Sequence, residues 1–193
     1  MKKYNTAIFI FENVEVLDFT GPFEIFNSAN SILNEDIFNV FTVAENLTKL
    51  NTKNSLQVIP DFSFQNCPNP DILVIPGGEG RKTQMNNEQV LEWIKSLYND
   101  LQYLFSICTG AFILGNTGLL NRQKATTHHL SYGEFEKTFP EINLIRNVPY
   151  VDNGKIITSA GISTGMKASL HLLDKISGND LGKKTAEYME YDY

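Results

Sequence analysis

The chain has 193 residues, 42% hydrophobic and 11% aromatic, which suffices to bury one sizeable core, so one domain spanning 1–193 is expected. A formal net charge of -6 without a basic run excludes nucleic acid or an anionic membrane as the main partner and leaves a small molecule. The first apolar stretch is short and runs into Glu12 and Glu15, so neither a signal peptide nor a membrane span is expected and the setting reads as cytoplasmic. In that compartment Cys67 and Cys108 are not expected to form a structural disulfide, and with no CxxC or His/Cys cluster no metal is expected.

In chain order, TAIFIF (6–11) predicts a strand and GPFEIFNSANSIL (21–33) a helix that opens at its Gly-Pro pair. FNVFTVA (38–44) and LQVIPDF (56–62) predict strands, and DILVIP (71–76) a buried one. EQVLEWIKSLYND (88–100) predicts an amphipathic helix with Val90, Leu91, Ile94 and Leu97 facing inward. LQYLFSIC (101–108) is a further strand leading straight into the helical run TGAFILGNTGLL. Past Thr126 the pattern loosens, until YVDNGKIITSAG (150–161) predicts a hairpin turning at Asn153-Gly154. STGMKASLHLLDKIS (163–177) is a final amphipathic helix, with room for a shorter one after it. The alternation implies a three-layer α/β/α sandwich with a mostly parallel sheet and an appended β-hairpin.

Reactive groups in such sheets gather beyond the carboxyl ends of the strands, and two of these ends are unusual: PGGEGR (76–81) and CTGA (108–111). Cys108 falls at a strand-to-helix junction with the small neighbours Ser106 and Gly110, the pattern of a nucleophile elbow. The helix start at Thr109 directs amides at the thiol and is expected to lower its pKa. The same residues also allow a buried structural cysteine packed as a small hydrophobe. Asp18, ahead of Gly21 and Pro22, reads locally as a helix cap, and Gly77 and Gly78 as a tight turn. His171, within an amphipathic helix, reads as structural, and Cys67, in the Pro-bounded loop QNCPNP, as inert.

VLDFTGPFEIF (16–26), DILVIPGGEG (71–80), SICTGAFILGNTGLLNRQKATTHH (106–129), ITSAGISTGMKASLHLL (157–173) and the terminal AEYMEYD resemble the ThiJ/PfpI family of class I glutamine amidotransferase-like domains. The resemblance spans essentially the whole chain and implies a flavodoxin-like fold. It implies Cys108 as nucleophile and Asp18 as the acid that reaches it, with burial and like charge raising the carboxyl's pKa. Amides of Gly78 and Thr109 would stabilise a developing anion, with Gly78 the favoured donor beside Gly77, and the Thr109 hydroxyl contributing or simply starting the helix. His128 matches the family's Thr-x-His segment and would border the pocket, and His129 is packing or solvated.

Asp at the acid position with Cys-Thr at the elbow is most similar to the isonitrile-hydrating branch, and to the sensor domain of arabinose-type transcription regulators. That likeness implies hydration of an isonitrile to an N-substituted formamide without a cofactor, in a homodimer. Thr109 in place of a histidine after the nucleophile disfavours the family's protease chemistry. His128-His129-Leu130 and His171-Leu172-Leu173 lack the His-x-Glu pair of the glutaminases. Relatives acting on reactive aldehydes carry Glu where this chain has Asp18, so glyoxalase or deglycase chemistry is the alternative within enzymes. A thiol-based redox or small-molecule sensor is the alternative outside them, although no helix-turn-helix segment follows the last predicted helix.

Overall fold

A computed structural model describes residues 2–178 and 180–193. In chain order the elements are β1 (Tyr4–Phe9), α1 (Val16–Leu33), β2 (Phe38–Ala44), β3 (Leu50–Asn51), β4 (Gln57–Val58), β5 (Phe62–Ser63) and β6 (Ile72–Ile75). There follow α2 (Arg81–Gln84), α3 (Glu88–Leu97), β7 (Tyr103–Ile107), α4 (Gly110–Asn116), β8 (Lys124–Ala125), α5 (Tyr132–Thr138) and β9 (Asn143–Leu144). The chain finishes with β10 (Tyr150–Asp152), β11 (Ile156–Ser159), α6 (Thr164–Ser177) and α7 (Leu181–Tyr188).

Seven strands form the central sheet in the order β10-β11-β7-β6-β1-β2-β5. Every pairing is parallel except β10 with β11, the predicted hairpin, which is appended at the β7 side as the edge of the sheet. Its Asn153-Gly154 turn forms as expected, with Gly154 at φ 88°. Ile72, Leu73, Val74 and Ile75 of β6 are all fully buried, which is why that strand is a continuous apolar run with no alternation. Helices α1, α6 and α7 pack together on one face, while α2 and α3 pack against α4 on the other. Phe135 of α5 and Phe139 just after it close on Phe112 of α4, with ring centroids 5.1 and 5.8 Å away. Among the described residues no helix is long and apolar enough to cross a membrane.

Three predicted elements form differently. Helix α1 begins at Val16, five residues before the Gly-Pro pair, so Pro22 lies inside it and Asp18 in its first turn. Pro22 has no N–H to offer the Asp18 carbonyl, and the first turn is held from outside, with Glu15 N–H donating to Gly77 O at 2.9 Å. The predicted strand 56–62 is interrupted at Pro60: its first part pairs antiparallel with β3 and its end joins the sheet edge as β5. The helical run after Thr109 stops at Asn116, ahead of Gly118 at φ 79°.

The elbow packs closely on the end of β6 at Gly110, where a Cβ would lie 2.1 Å from Ile75 O and 2.8 Å from Pro76 O. Gly110→Ala is therefore expected to cost at least the ~1–3 kcal/mol of an overpacked core site. Gly133→Ala, in α5 with nothing within 4 Å of the new methyl, should be neutral or stabilising by up to about 1 kcal/mol. Chemical denaturation of the two variants checks both signs.

Candidate active site

β7 ends at Ile107 and α4 starts at Gly110, which leaves Cys108 to make the turn with φ at 55°, a left-handed conformation that an ordinary side chain adopts only under constraint. The constraint comes from neighbours on both sides. Cys108 N–H donates to Ser159 O at 3.2 Å and Ala160 O at 3.0 Å, while the Cys108 carbonyl accepts from the Thr127 hydroxyl at 2.8 Å. The side chain is 6% exposed at the floor of a cavity of about 200 Å³. Glu15, Lys53, Gly78, Arg81, Thr109 and His128 are among the residues lining it.

Asp18 reaches the same point from the first turn of α1 and is fully buried. Its Oδ2 accepts the Gly77 N–H at 3.0 Å, while Oδ1 has no hydrogen-bond partner among the described residues. Burial is the main influence on this carboxyl and pushes its pKa up to about 7, against the lowering effect of the Gly77 amide. Burial likewise pushes the Cys108 thiol up to about 12, with the Asp18 charge adding to the rise. Amides of Thr109 and Ile162 act on the sulfur in the opposite direction and are outweighed. The expectation that the helix start lowers the thiol's pKa is thereby corrected: α4 is short, and desolvation and the neighbouring carboxyl dominate.

Taken as a pair, the two groups retain one proton between about pH 7 and about pH 12. The carboxylate–thiol and acid–thiolate arrangements have the same charge and belong to the same titration state. Within that state, a shift of the remaining proton from sulfur to Asp18 would leave a thiolate beside a carboxylic acid.

The glycines divide their work differently from the expected pair of anion donors. Gly77 N–H is committed to Asp18, and Gly78 N–H donates to the Thr109 hydroxyl at 3.1 Å. A Cβ on Gly77 would stand 2.6 Å from both Thr109 N and Thr109 Oγ1, so no other residue fits there. The amides directed at sulfur are those of Thr109 and Ile162. Ile162, at φ 48°, carried no signal in the sequence; a β-branched residue is an unusual occupant of that conformation.

His128 borders the cavity, its Nδ1 accepting Leu130 N–H at 3.3 Å and its ring packed on Gly161 and tilted against His129 at 4.5 Å. Burial and the adjoining His129 hold its pKa below the usual imidazole value, which favours the neutral ring. His171 lies outside the cavity, bonded to Asp152 at 2.8 Å and stacked on Tyr150. Cys67 is half-buried beside Pro68 O, with its pKa pushed up to about 11 by burial alone. Among the described residues no group of three or more His, Cys, Asp or Glu is arranged to hold a metal.

The raised Asp18 pKa has a stability consequence of definite sign. The folded state keeps the proton up to about pH 7 while the unfolded chain releases it near 3.8, so wild-type stability should fall as pH rises through that window. Asp18→Asn retains an acceptor for Gly77 and carries no charge. Its stability should vary less across the window and exceed wild type at pH 8, as denaturant titrations at pH 5 and pH 8 would measure. A wild type stabilised by the same change of pH would contradict a protonated buried carboxyl.

The chain is similar to known proteins along most of its length. A family model described as the DJ-1/PfpI family matches residues 5–175. The isonitrile hydratase of Pseudomonas putida is 32% identical over 182 residues, 94% of this chain and 76% of that protein. The glutathione-independent glyoxalase DJ-1 of Schizosaccharomyces pombe is 27% identical, over 90% of this chain and 92% of that one. The crystal structure of a ThiJ/PfpI family protein from Pseudomonas syringae superposes with a TM-score of 0.88 at 25% identity, covering 100% of this chain and 77% of the other. With the match running through the elbow, the acid and both glycines, the chain belongs to the DJ-1/PfpI family.

Proposed function

We propose that this protein hydrates a small isonitrile to the N-substituted formamide, with Cys108 as nucleophile and Asp18 as proton carrier. The observation that carries this reading is a carboxyl and a thiol buried together at the end of the sheet, Asp18 fully and Cys108 at the cavity floor, a charge on either raising the cost of ionising the other. The terminal carbon of an isonitrile accepts both a nucleophile and a proton, and the acid–thiolate arrangement of the pair supplies the two from one place. The thirty-two per cent identity to the Pseudomonas putida hydratase supports the same chemistry.

The steps balance without a cofactor. The Cys108 thiolate forms a C–S bond to the terminal carbon, and the Asp18 proton moves to that carbon, giving a thioimidate and an Asp18 carboxylate. Water adds to the thioimidate carbon as Asp18 takes one of its protons and passes it to nitrogen. The C–S bond then breaks as the new hydroxyl returns its proton to Asp18, releasing the formamide and restoring the acid–thiolate pair. The Thr109 and Ile162 amides favour negative charge on sulfur at the start and end of the cycle. A cavity of about 200 Å³ favours a compact substituent on nitrogen.

The thiol's burial and raised pKa argue against an easily oxidised sensor cysteine. Assays with a panel of isonitriles and methylglyoxal, followed by the formyl proton in NMR, test the reading. Turnover of an isonitrile should vanish in Cys108→Ala and fall by about 10²–10⁴ in Asp18→Asn. Near wild-type turnover in Asp18→Asn would move the acid role elsewhere, with His128 the next group along the cavity. Turnover of methylglyoxal alone would instead assign glyoxalase chemistry, as in the fission-yeast relative.

The homodimer implied by the resemblance and the cytoplasmic setting are part of the same proposal. A two-fold pair is the commonest closed assembly, and light scattering should report twice the mass of one chain. A monomer at micromolar concentration would reject the dimer.

A further inference from the structure

Two charged residues of the cavity wall come from different parts of the chain and meet beside the Asp18–Cys108 pair. Lys53 Nζ lies 3.2 Å from Glu15 Oε2. Glu15 is the residue immediately before α1, and its own N–H is tied to Gly77 O, so it shares a backbone anchor with the glycine that binds Asp18. Lys53 follows β3 in the loop toward β4, and its N–H donates to Val14 O at 2.9 Å, which fastens that loop over the approach to α1. Neither side chain bonds to Asp18 or Cys108, yet both line the cavity that Cys108 floors.

We propose that this ion pair sets the proton equilibrium of the buried pair, Lys53 favouring loss of its first proton and Glu15 opposing it. An ammonium within reach of a desolvated site stabilises the added negative charge, and a carboxylate beside it does the reverse. Asp18 is pushed up by Glu15 and down by Lys53, and Lys53 in turn is held up by Glu15, Glu79 and Cys108. The remaining charges around the cavity are Arg81, which is paired with Glu134, together with Glu79 and Lys82; His128, which feels both Lys53 and Glu15, completes the set.

Lys53 and Glu15 are positioning residues on this view, and they act in opposite directions. That separates an electrostatic role from a structural one, because breaking a purely structural ion pair disturbs the site in the same way from either end. The inference rests on the Asp18–Cys108 pair as the reactive centre and holds for any substrate.

The test is the pH dependence of Cys108 alkylation by iodoacetamide, read by peptide mapping with Cys67 as internal reference. In wild type the rate should rise with a midpoint near the first ionisation of the pair, about pH 7. Lys53→Met should move the midpoint up and Glu15→Gln should move it down, each by roughly half a unit to one unit for charges several ångströms away in a partly shielded cavity. Lys53→Arg should restore the wild-type midpoint, and the Cys67 rate should stay unchanged throughout. Shifts in the same direction, no shift in either variant, or a wild-type rate with no inflection near neutrality would each overturn the proposal. If Lys53→Met fails to fold, as judged by circular dichroism, the acid shift of Glu15→Gln decides alone: its presence supports the proposal and its absence overturns it. Isonitrile turnover takes no part in the measurement, so failure of the hydratase reading leaves the outcome legible.

Discussion

A carboxyl group taken wholly out of water is the constraint around which this structure is arranged. Burying Asp18 as an anion would be expensive, and the fold meets the difficulty by leaving the group protonated up to about pH 7 and giving one oxygen a backbone N–H. Everything near it follows. Residue 77 must be glycine because Asp18 and Thr109 close on it together. The loop before α1 must reach Gly77 O, which draws the start of the helix back to Val16. Cys108, pressed into the same dry space, cannot ionise independently of the carboxyl. Cys67 illustrates the contrast: its pKa is raised by burial too, but its S–H donates to the Pro68 carbonyl and no carboxyl contributes to the rise.

The alternation of strands and helices was legible because it rests on local signals. β6 and β7 are apolar runs buried against both layers, α6 carries its apolar face at helical spacing, and Asn153-Gly154 suits a tight hairpin turn. The sequence misled where the deciding contact is distant. Gly21-Pro22 is a sound local start signal, but the turn before it is fixed by Gly77, and Gly21 itself serves a close approach by Met166. Between Lys124 and Leu144 the elements are short, and α5 is held by the packing of Phe135 and Phe139 on Phe112 more than by any capping residue. The i, i+4 spacing of those two phenylalanines was the available clue.

The site was legible in part for the same reason. Asp18, Cys108, Thr109, Gly77, Gly78 and His128 stood out as residues, and they do converge at one end of the sheet. How the amides are shared among them was hidden, since that depends on distances of a few tenths of an ångström. Glu15, Lys53 and Ile162 gave no signal: a charge in a loop resembles any solvated charge until the loop is placed over a cavity. The short strands β3 and β4 are what place Lys53 there.

Cys108 is gripped by segments remote from it in the chain: Asp18 from the first helix, Thr127 from the region after α4, and Ser159, Ala160 and Ile162 from the stretch between β11 and α6. Such a site has high contact order, and loop closure must be completed across most of the polypeptide before its geometry exists. While the chain is being made, β7 can emerge with its cysteine long before β11 is available to pair with it. During that interval the sulfur is an ordinary thiol without its acid partner or its left-handed turn. The coupling of the thiol's proton to a carboxyl is thus acquired only in the last stages of assembly, and until the clasp is complete the sulfur ionises more readily than it does in the folded protein.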